Sequence, residues 1–395
     1  AILGIDKTTE IGGYTRTIKI SDFKFDYTGH FLHLKEFDCP ASIGSYGNLY
    51  KNVWINVQKR SSVYLDKKFC EAPYQYNFGQ LGREHTQKAI QSYEFRKKIN
   101  EPKNLEEFFH TNFGEYMCKK FFIPYNSKLY GVAPNKLSHK QLSRFFPNPD
   151  ADIIINQSKP ENLEKKTTYN SNFWYPINGG IDLLIKHFKH PRELIYSKPI
   201  KIDINQKLII LSNNKEIHFD NIVSSIPFDQ LVKLTGLKDK ISLDLSSSKQ
   251  FVVHIGTKQV IPELTDISWL YIPDIKTEVY RIGNYSFASN LMSGIDKGMS
   301  LYVELSSSAT NPIDQAISFL KDEFSLDERL IEVISLSNLD PGYVHFKNNQ
   351  IEQIQSILKL LEKYSIYSIG RYGRWDYISM EDCIISGKEL AAKLT

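Results

Sequence analysis

The sequence predicts an α/β fold in which one domain is interrupted by a second, mixed α+β domain. Three observations point there. The chain opens on a strand-like run, Ala1 to Asp6, that leads through a polar loop to Gly12-Gly13. Short strand-like segments separated by turn residues fill 200–225. The C-terminal stretch IYSIGRYGRWDYISM passes from a strand end through Gly370-Arg371 into a helix start. Strand and helix signals that alternate in this way favour an α/β unit. The expected division joins 1–40, 195–240 and 366–395 in one domain. It leaves 41–194 and 241–365 to a second domain of helices and antiparallel sheet.

Taken in order, the elements justify that reading. A second strand is expected over Ile18 to Asp26, ending at the polar loop Tyr27 to His33. Alternation at Val53 to Val57 and Ser62 to Leu65 predicts antiparallel strands. Apolar spacing through Leu105, Phe108, Phe109, Phe113, Tyr116 and Met117 predicts helix from about His85 to Phe122, stopped by Pro124. The polar, proline-bearing stretch 145–172 reads as a loop, and Ile181 to Phe188 as a short helix after Gly179-Gly180. Strands are expected at Ile200 to Ile204, Leu208 to Leu211, Glu216 to Phe219 and Ile222 to Ser225. A β-rich region follows over 250–306, with helices over 312–324, 350–364 and Met380 to Leu394.

Bulk properties exclude several functions. With 395 residues, the chain can bury a large core without staples. The net charge of +4 is too small to argue for nucleic acid, which needs a concentrated basic face. Cys39, Cys70, Cys118 and Cys383 stand alone, without metal-ligand spacing, and read as reduced thiols in a cytoplasmic protein. No metal site is expected. No uncharged apolar run approaches the roughly 18 residues that mark a membrane helix.

Five segments carry chemistry. In the first, Asp6 stands five residues before Gly12-Gly13, with Arg16-Thr17 close behind. An acid at a strand end accepts ribose hydroxyls in dinucleotide-binding folds, and glycines let backbone approach a cofactor. The GxGxxG loop that normally precedes such an acid is absent, so a preceding segment is expected. The second is Phe25 to His33, where His30 follows Gly29 and faces either a cofactor ring or substrate, or bonds within the loop itself. The third, Phe121 to Gly131, includes Tyr130 and also suits simple packing at a helix end. The fourth, Phe173 to Ile181, sets Trp174 and Tyr175 beside a Gly-Gly turn, suited to a ring-covering wall or to a core. In the fifth, Gly370-Arg371 leads to a helix capped by Ser379, with Glu381 and Asp382 in its first turn.

In this order, the segments resemble the UDP-galactopyranose mutase-like branch of the FAD-dependent amine oxidase and protoporphyrinogen oxidase-like superfamily. The resemblance rests on Asp6 with Gly12-Gly13, Arg16-Thr17, Asp26 with Gly29-His30, Tyr125 to Gly131, Tyr175 to Gly180, and Gly370-Arg371 with Tyr377 and Met380. It implies an FAD-binding Rossmann-like domain of the glutathione-reductase type, interrupted by a substrate domain. FAD is the implied cofactor, active in reduced form and held weakly by a chain without the glycine-rich loop.

The resemblance also implies roles. Asp6, Gly12, Gly13, Arg16, Thr17, Gly29, His30, Gly370, Arg371 and Met380 would lie along FAD. Tyr130, Trp174, Tyr175, Arg281 and Tyr377 would meet a nucleotide sugar. His30, Arg281, Arg371 and Tyr377 would serve catalysis, with the arginines holding the diphosphate. The implied activity is interconversion of pyranose and furanose forms without net redox change. The alternatives are an FAD-dependent oxidoreductase of amine oxidase, protoporphyrinogen oxidase or desaturase type, and a cofactor-poor, non-enzymatic homologue. The sequence departs from mutases after Arg144, where Phe145 to Pro149 carries no further arginine, and at Ser379, where bacterial mutases carry an acid.

Overall fold

The computed structural model describes residues 2–158, 171–237, 244–294, 298–348 and 350–394. Its largest sheet has seven strands in the order Ile331–Leu339, Gln250–Thr257, Met299–Ser306, Val279–Asn284, Trp269–Tyr271, Ser61–Leu65 and Lys68–Glu71. All pairings are antiparallel except that of Trp269–Tyr271 with Ser61–Leu65. Met299–Ser306 is buried along its whole length, as a central strand covered on both faces should be. The helix Pro312–Phe324 covers one face through Ala316, Leu320 and Phe324. Aromatic residues from the N-terminal hairpin, Phe23 and Phe25, pack near Val252, Tyr285 and Tyr302 on another.

The N-terminal strand Leu3–Asp6 pairs in parallel with Glu193–Tyr196. Ile222–Ser224 pairs in parallel with Ile366–Ser368. Between them, Pro199–Asp203, Leu208–Leu211 and Glu216–His218 form an antiparallel meander, and their limits follow the sequence reading closely. The helices Gln350–Glu362 and Met380–Leu394 also begin where the pattern puts them.

Four expectations need correction. The run 18–26 is a hairpin, Thr17–Ile20 against Phe23–Asp26, because the chain reverses at Ser21, which has a left-handed φ of 51°. The helix Leu105–Met117 is broken at Gly114, with φ 78° and ψ 165°, where a Cβ would strike the Ser92 carbonyl. Pro124 does not stop the helical region: a π-helical turn, Cys118–Phe122, leads into Ile123–Tyr130 with Pro124 in its first turn, where a missing N–H costs least. The stretch 145–172 is not all loop, since Ala151–Ile155 is helical; 159–170 of it lie outside the described residues. Phe113 and Phe122 stack at 4.2 Å across the π turn, within the largest core. Among the described residues, no helix is long and apolar enough to cross a membrane.

Candidate functional site

The seven-stranded sheet builds the site's floor. Arg281 lies between two cross-strand neighbours, Tyr271 on one side and Glu304 on the other. Register alone makes Glu304 its partner. Arg281 Nε donates to Glu304 Oε2 at 2.8 Å, and Nη2 to Oε1 at 2.7 Å. This fork is bidentate around a carboxylate with no exposed side-chain surface. Burial is the largest single influence and opposes the Arg281 charge, but Glu304 together with the surrounding tyrosines outweighs it and holds the guanidinium protonated. Thr28 donates to the same carboxylate, and Tyr285 donates to the Asp26 and Thr28 carbonyls, so the loop above the sheet is fixed.

That loop delivers His30. Gly29 precedes it because a Cβ there would lie 2.3 Å from the Tyr302 hydroxyl. The imidazole Nδ1 of His30 is buried without a hydrogen-bond partner. Burial first, and then the charges of Arg371 and Arg281, lower its pKa to about 4. His30 is therefore neutral near pH 7.

Arg371 comes from the other end of the chain, one residue past Gly370. Its guanidinium lies 4.2 Å from the Tyr377 ring centre and 5.5 Å from that of Tyr343. Nη1 donates to the Ile378 carbonyl at 3.1 Å. Among the described residues, no carboxylate lies within ion-pair distance of it. Tyr343 links the two arginines: Arg281 Nη2 is 3.4 Å from its hydroxyl. Tyr343 also stacks on Tyr377 at 5.3 Å and meets the Tyr130 ring at 5.8 Å.

Arg281, Tyr343 and Tyr377 border a cavity of about 710 Å³, and Arg371 stands against the Tyr343 and Tyr377 rings of its wall. Its wall includes Tyr130, Phe145, Trp269, Tyr271, Tyr343 and Tyr377, together with Arg281, His33 and Lys59. Burial raises the Tyr130 and Tyr343 hydroxyls well above their ordinary range, which keeps them as neutral donors. Burial also lowers Lys59 to about 8. Arg144 reaches the rim, where Nη2 donates to the Tyr377 carbonyl at 2.7 Å.

The glycine turns lie beside one another. Tyr14, next to Gly13, meets the Tyr372 ring at 5.9 Å. Gly13 and Gly370 have left-handed φ of 54° and 74°, and no atom lies within 4 Å of where a Cβ would sit. Gly12 differs: a Cβ there would strike Ile185. Asp6 accepts from the Thr8 N–H and hydroxyl through Oδ1, and Oδ2 has no partner among the described residues. All three Arg16 donor groups are occupied, by the Gly13 carbonyl, Glu10 and the Tyr27 hydroxyl, so Arg16 braces the turn.

Two residues expected to touch ligand have their hydroxyls engaged elsewhere. Thr17 and Tyr175 both donate to Asp26, at 2.7 and 2.6 Å, with the Ile181 N–H at 3.1 Å. Asp26 is fully buried, and burial raises its carboxyl to about 7. Trp174 pairs through its backbone with Leu32, and Met380 packs beside Ile384, Leu184 and Trp54.

The helix Met380–Leu394 begins with a reciprocal cap: Ser379 donates to Asp382, and Asp382 N–H returns to Ser379 Oγ. Glu381, next in line, is buried and accepts the backbone N–H groups of Lys35, Glu36 and Phe37. Sequence reading placed Glu381 only in a helix turn. Its role in anchoring the loop after His33 is a contact 346 positions apart, which no local pattern signals. Tyr343 and Glu304 were missed for the same reason.

No family model matches the sequence, and no curated protein does. Solved structures do resemble it. A structure of reduced UDP-galactopyranose mutase, 24% identical, covers 96% of this chain and 86% of that one, with a TM-score of 0.86. A putative protoporphyrinogen oxidase from Exiguobacterium sp. 255-15 is 12% identical over 99% of this chain and 92% of that one, with a TM-score of 0.67. An oxidoreductase from Methanosarcina mazei is 12% identical over 99% and 94%, with a TM-score of 0.58. The chain has the fold shared by UDP-galactopyranose mutase and the protoporphyrinogen oxidase-like proteins.

Proposed function

We propose that this chain is a flavin-dependent enzyme acting on a nucleotide sugar, in the manner of UDP-galactopyranose mutase. The observation that carries the reading is the convergence of Arg281, Arg371 and a neutral His30 beside a tyrosine-rich cavity. The residues fit FAD. Gly13 and Gly370 offer backbone to open space, Asp6 has a free carboxylate oxygen, and His30 has an unpaired ring nitrogen. Asp6 and the Gly12-Gly13 turn would hold the adenosine side. Gly370, Arg371 and the N-terminus of Met380–Leu394 would hold the flavin side. Residues 1–40, 195–240 and 366–395 would then make up the cofactor-binding domain.

A reduced flavin, when bound, would supply a nucleophilic ring nitrogen for chemistry at an anomeric carbon. The chain's residues do the rest. Arg371 offers an uncompensated guanidinium to a departing diphosphate, and the Tyr343 hydroxyl sits where it can donate to the same group. His30 is deprotonated and can accept a proton without adding charge beside the arginines. The aromatic part of the wall lowers the local polarity and so strengthens the pairing of a released diphosphate with the arginines.

The same wall favours a second reading, an FAD-dependent oxidoreductase for an apolar substrate. One experiment separates them. Protein supplied with FAD and reduced anaerobically with dithionite is incubated with UDP-galactopyranose, and the products are resolved by chromatography. Formation of UDP-galactofuranose without flavin reoxidation supports the mutase reading. No product, with anaerobic bleaching of the oxidised flavin by an amine or a saturated carbon substrate instead, rejects it in favour of the oxidoreductase.

A further inference from the structure

We propose that a second cleft, separated from the tyrosine-rich cavity by the Arg60–Asp266 ion pair, binds a neutral saccharide. This cleft measures about 620 Å³, within the range of small-molecule sites. Gln58, Arg60 and Asp266 line both spaces, so the two adjoin. Arg60 and Asp266 meet at 3.3 Å and, among the described residues, are the only charged ones in the cleft's wall, so they offset one another there.

The remaining polar groups are mostly amides: Asn56, Gln58, Asn284 and Asn290. Asn284 is 3% exposed. Its Nδ2 donates to the Leu264 carbonyl at 3.0 Å, and its Oδ1 has no partner. A buried acceptor left unpaired is costly, and a ligand donor relieves that cost. Asn56 has the opposite need: its Oδ1 takes the Asn172 amide, leaving its own donors for a ligand. A hydroxyl both donates and accepts without charge, and so meets both needs with one small group. Phe287 adds an apolar ring face, which suits the C–H face of a sugar ring. The inference stands on the cleft's own chemistry. The nucleotide-sugar reading guides only the choice of sugar.

The test is saturation-transfer NMR titration of the full chain with methyl β-galactopyranoside, with cyclohexanol as an apolar comparator. The sugar is expected to bind and cyclohexanol not to. Asn290→Ala should weaken binding about fivefold, the worth of roughly one hydrogen bond. Asn284→Leu, with folding checked by melting temperature, should weaken it at least as much. Tyr377→Ala, which alters only the main cavity, should leave the signal unchanged. Absence of binding, equal binding of cyclohexanol, an unaffected Asn290→Ala protein, or loss of signal in Tyr377→Ala would each overturn the proposal. None of these readouts depends on mutase turnover, so failure here is separate from failure of the proposed function.

Discussion

Glu304→Gln should destabilise the protein and, at the same time, make it more responsive to a diphosphate. The carboxylate has no exposed side-chain surface and accepts both arms of the Arg281 fork at 2.8 and 2.7 Å. Glutamine keeps the shape and one acceptor but removes the charge, which leaves the guanidinium uncompensated among buried tyrosines. Breaking a buried pair in this way costs about 3–5 kcal/mol. Arg281 retains 17% side-chain exposure, so water screens part of its charge and the lower end applies. A chain of 395 residues has an unfolding entropy of about 0.8 kcal/mol per kelvin, which converts the loss to a fall in Tm of roughly 4 °C. Scanning calorimetry reads it. Inorganic pyrophosphate should then raise the Tm of the variant more than that of the parent, because the anion replaces the missing charge. A Tm within about 1 °C of the parent would refute the energetic argument. Greater stabilisation of the parent would refute the claim that Arg281 faces the ligand.

Other outcomes follow from the same geometry. His30, observed by proton–carbon NMR, should titrate near pH 4, and Arg371→Met should raise that value by removing a nearby charge. Its folded pKa lies below the unfolded value of about 6.5, so its contribution to stability is full above that pH and is lost as the pH falls toward 4; titration near 6.5 in the folded protein would contradict this. Gly180→Ala should destabilise far more than Gly370→Ala, since a Cβ at Gly180 would lie 2.2 Å from Thr17 Oγ1 whereas at Gly370 it meets open space and costs about 1 kcal/mol of backbone strain; equal melting temperatures would count against the packing described around Asp26. Glu381→Ala strips the acceptor from three backbone N–H groups and should speed proteolysis near 35–37 while leaving the far sheet protected; unchanged cleavage rates would show that the loop is held by other contacts.

Much of the fold was legible because its signals are local. The meander over 199–218 has turn residues between short apolar runs, and the terminal helix has Ser379 with Asp382 as a reciprocal cap. The strand Ile331–Leu339 went unread because its apolar residues do not alternate: Val333 and Ile334 are adjacent, and on this edge strand Ile334 and Leu336 lie on the exposed face. The helical region 105–130 was misread at Pro124 because a π turn absorbs the missing hydrogen bond, and periodicity does not show that turn. The candidate site was legible only where a residue type carries chemistry of its own, as in Arg281, Arg371 and His30, which the structure brings near one another. Thr17 and Tyr175 look like ligand-binding residues by type, but both donate to a buried Asp26, a choice made by tertiary packing. Glu304 carries no signal at all until strand register sets it opposite Arg281.

That register makes the two arginines unequal, and their substitutions should separate. Two guanidiniums and one carboxylate leave one net positive charge beside His30, which is neutral near pH 7. Arg371 carries it, since among the described residues no carboxylate pairs with it and its contacts are the Tyr377 and Tyr343 rings and the Ile378 carbonyl. Arg371→Gln therefore removes a charge-assisted bond to an anion worth about 1.5–3 kcal/mol, or roughly 10- to 100-fold in pyrophosphate affinity. It leaves no buried charge behind, so Tm should change little. Arg281→Gln reaches the same local charge by another route: it strands Glu304, which then repels the anion and weakens the sheet beneath it. Both affinity and Tm should fall, the latter by several degrees, as for any broken buried pair. Flavin content, read from the absorbance of protein reconstituted with FAD, should drop more for Arg371→Gln, because Arg371 adjoins the Gly370 turn and Arg281 does not. Calorimetry and pyrophosphate titration of both variants decide the matter. Equal losses of Tm, or an affinity loss confined to Arg281→Gln, would refute the division of roles.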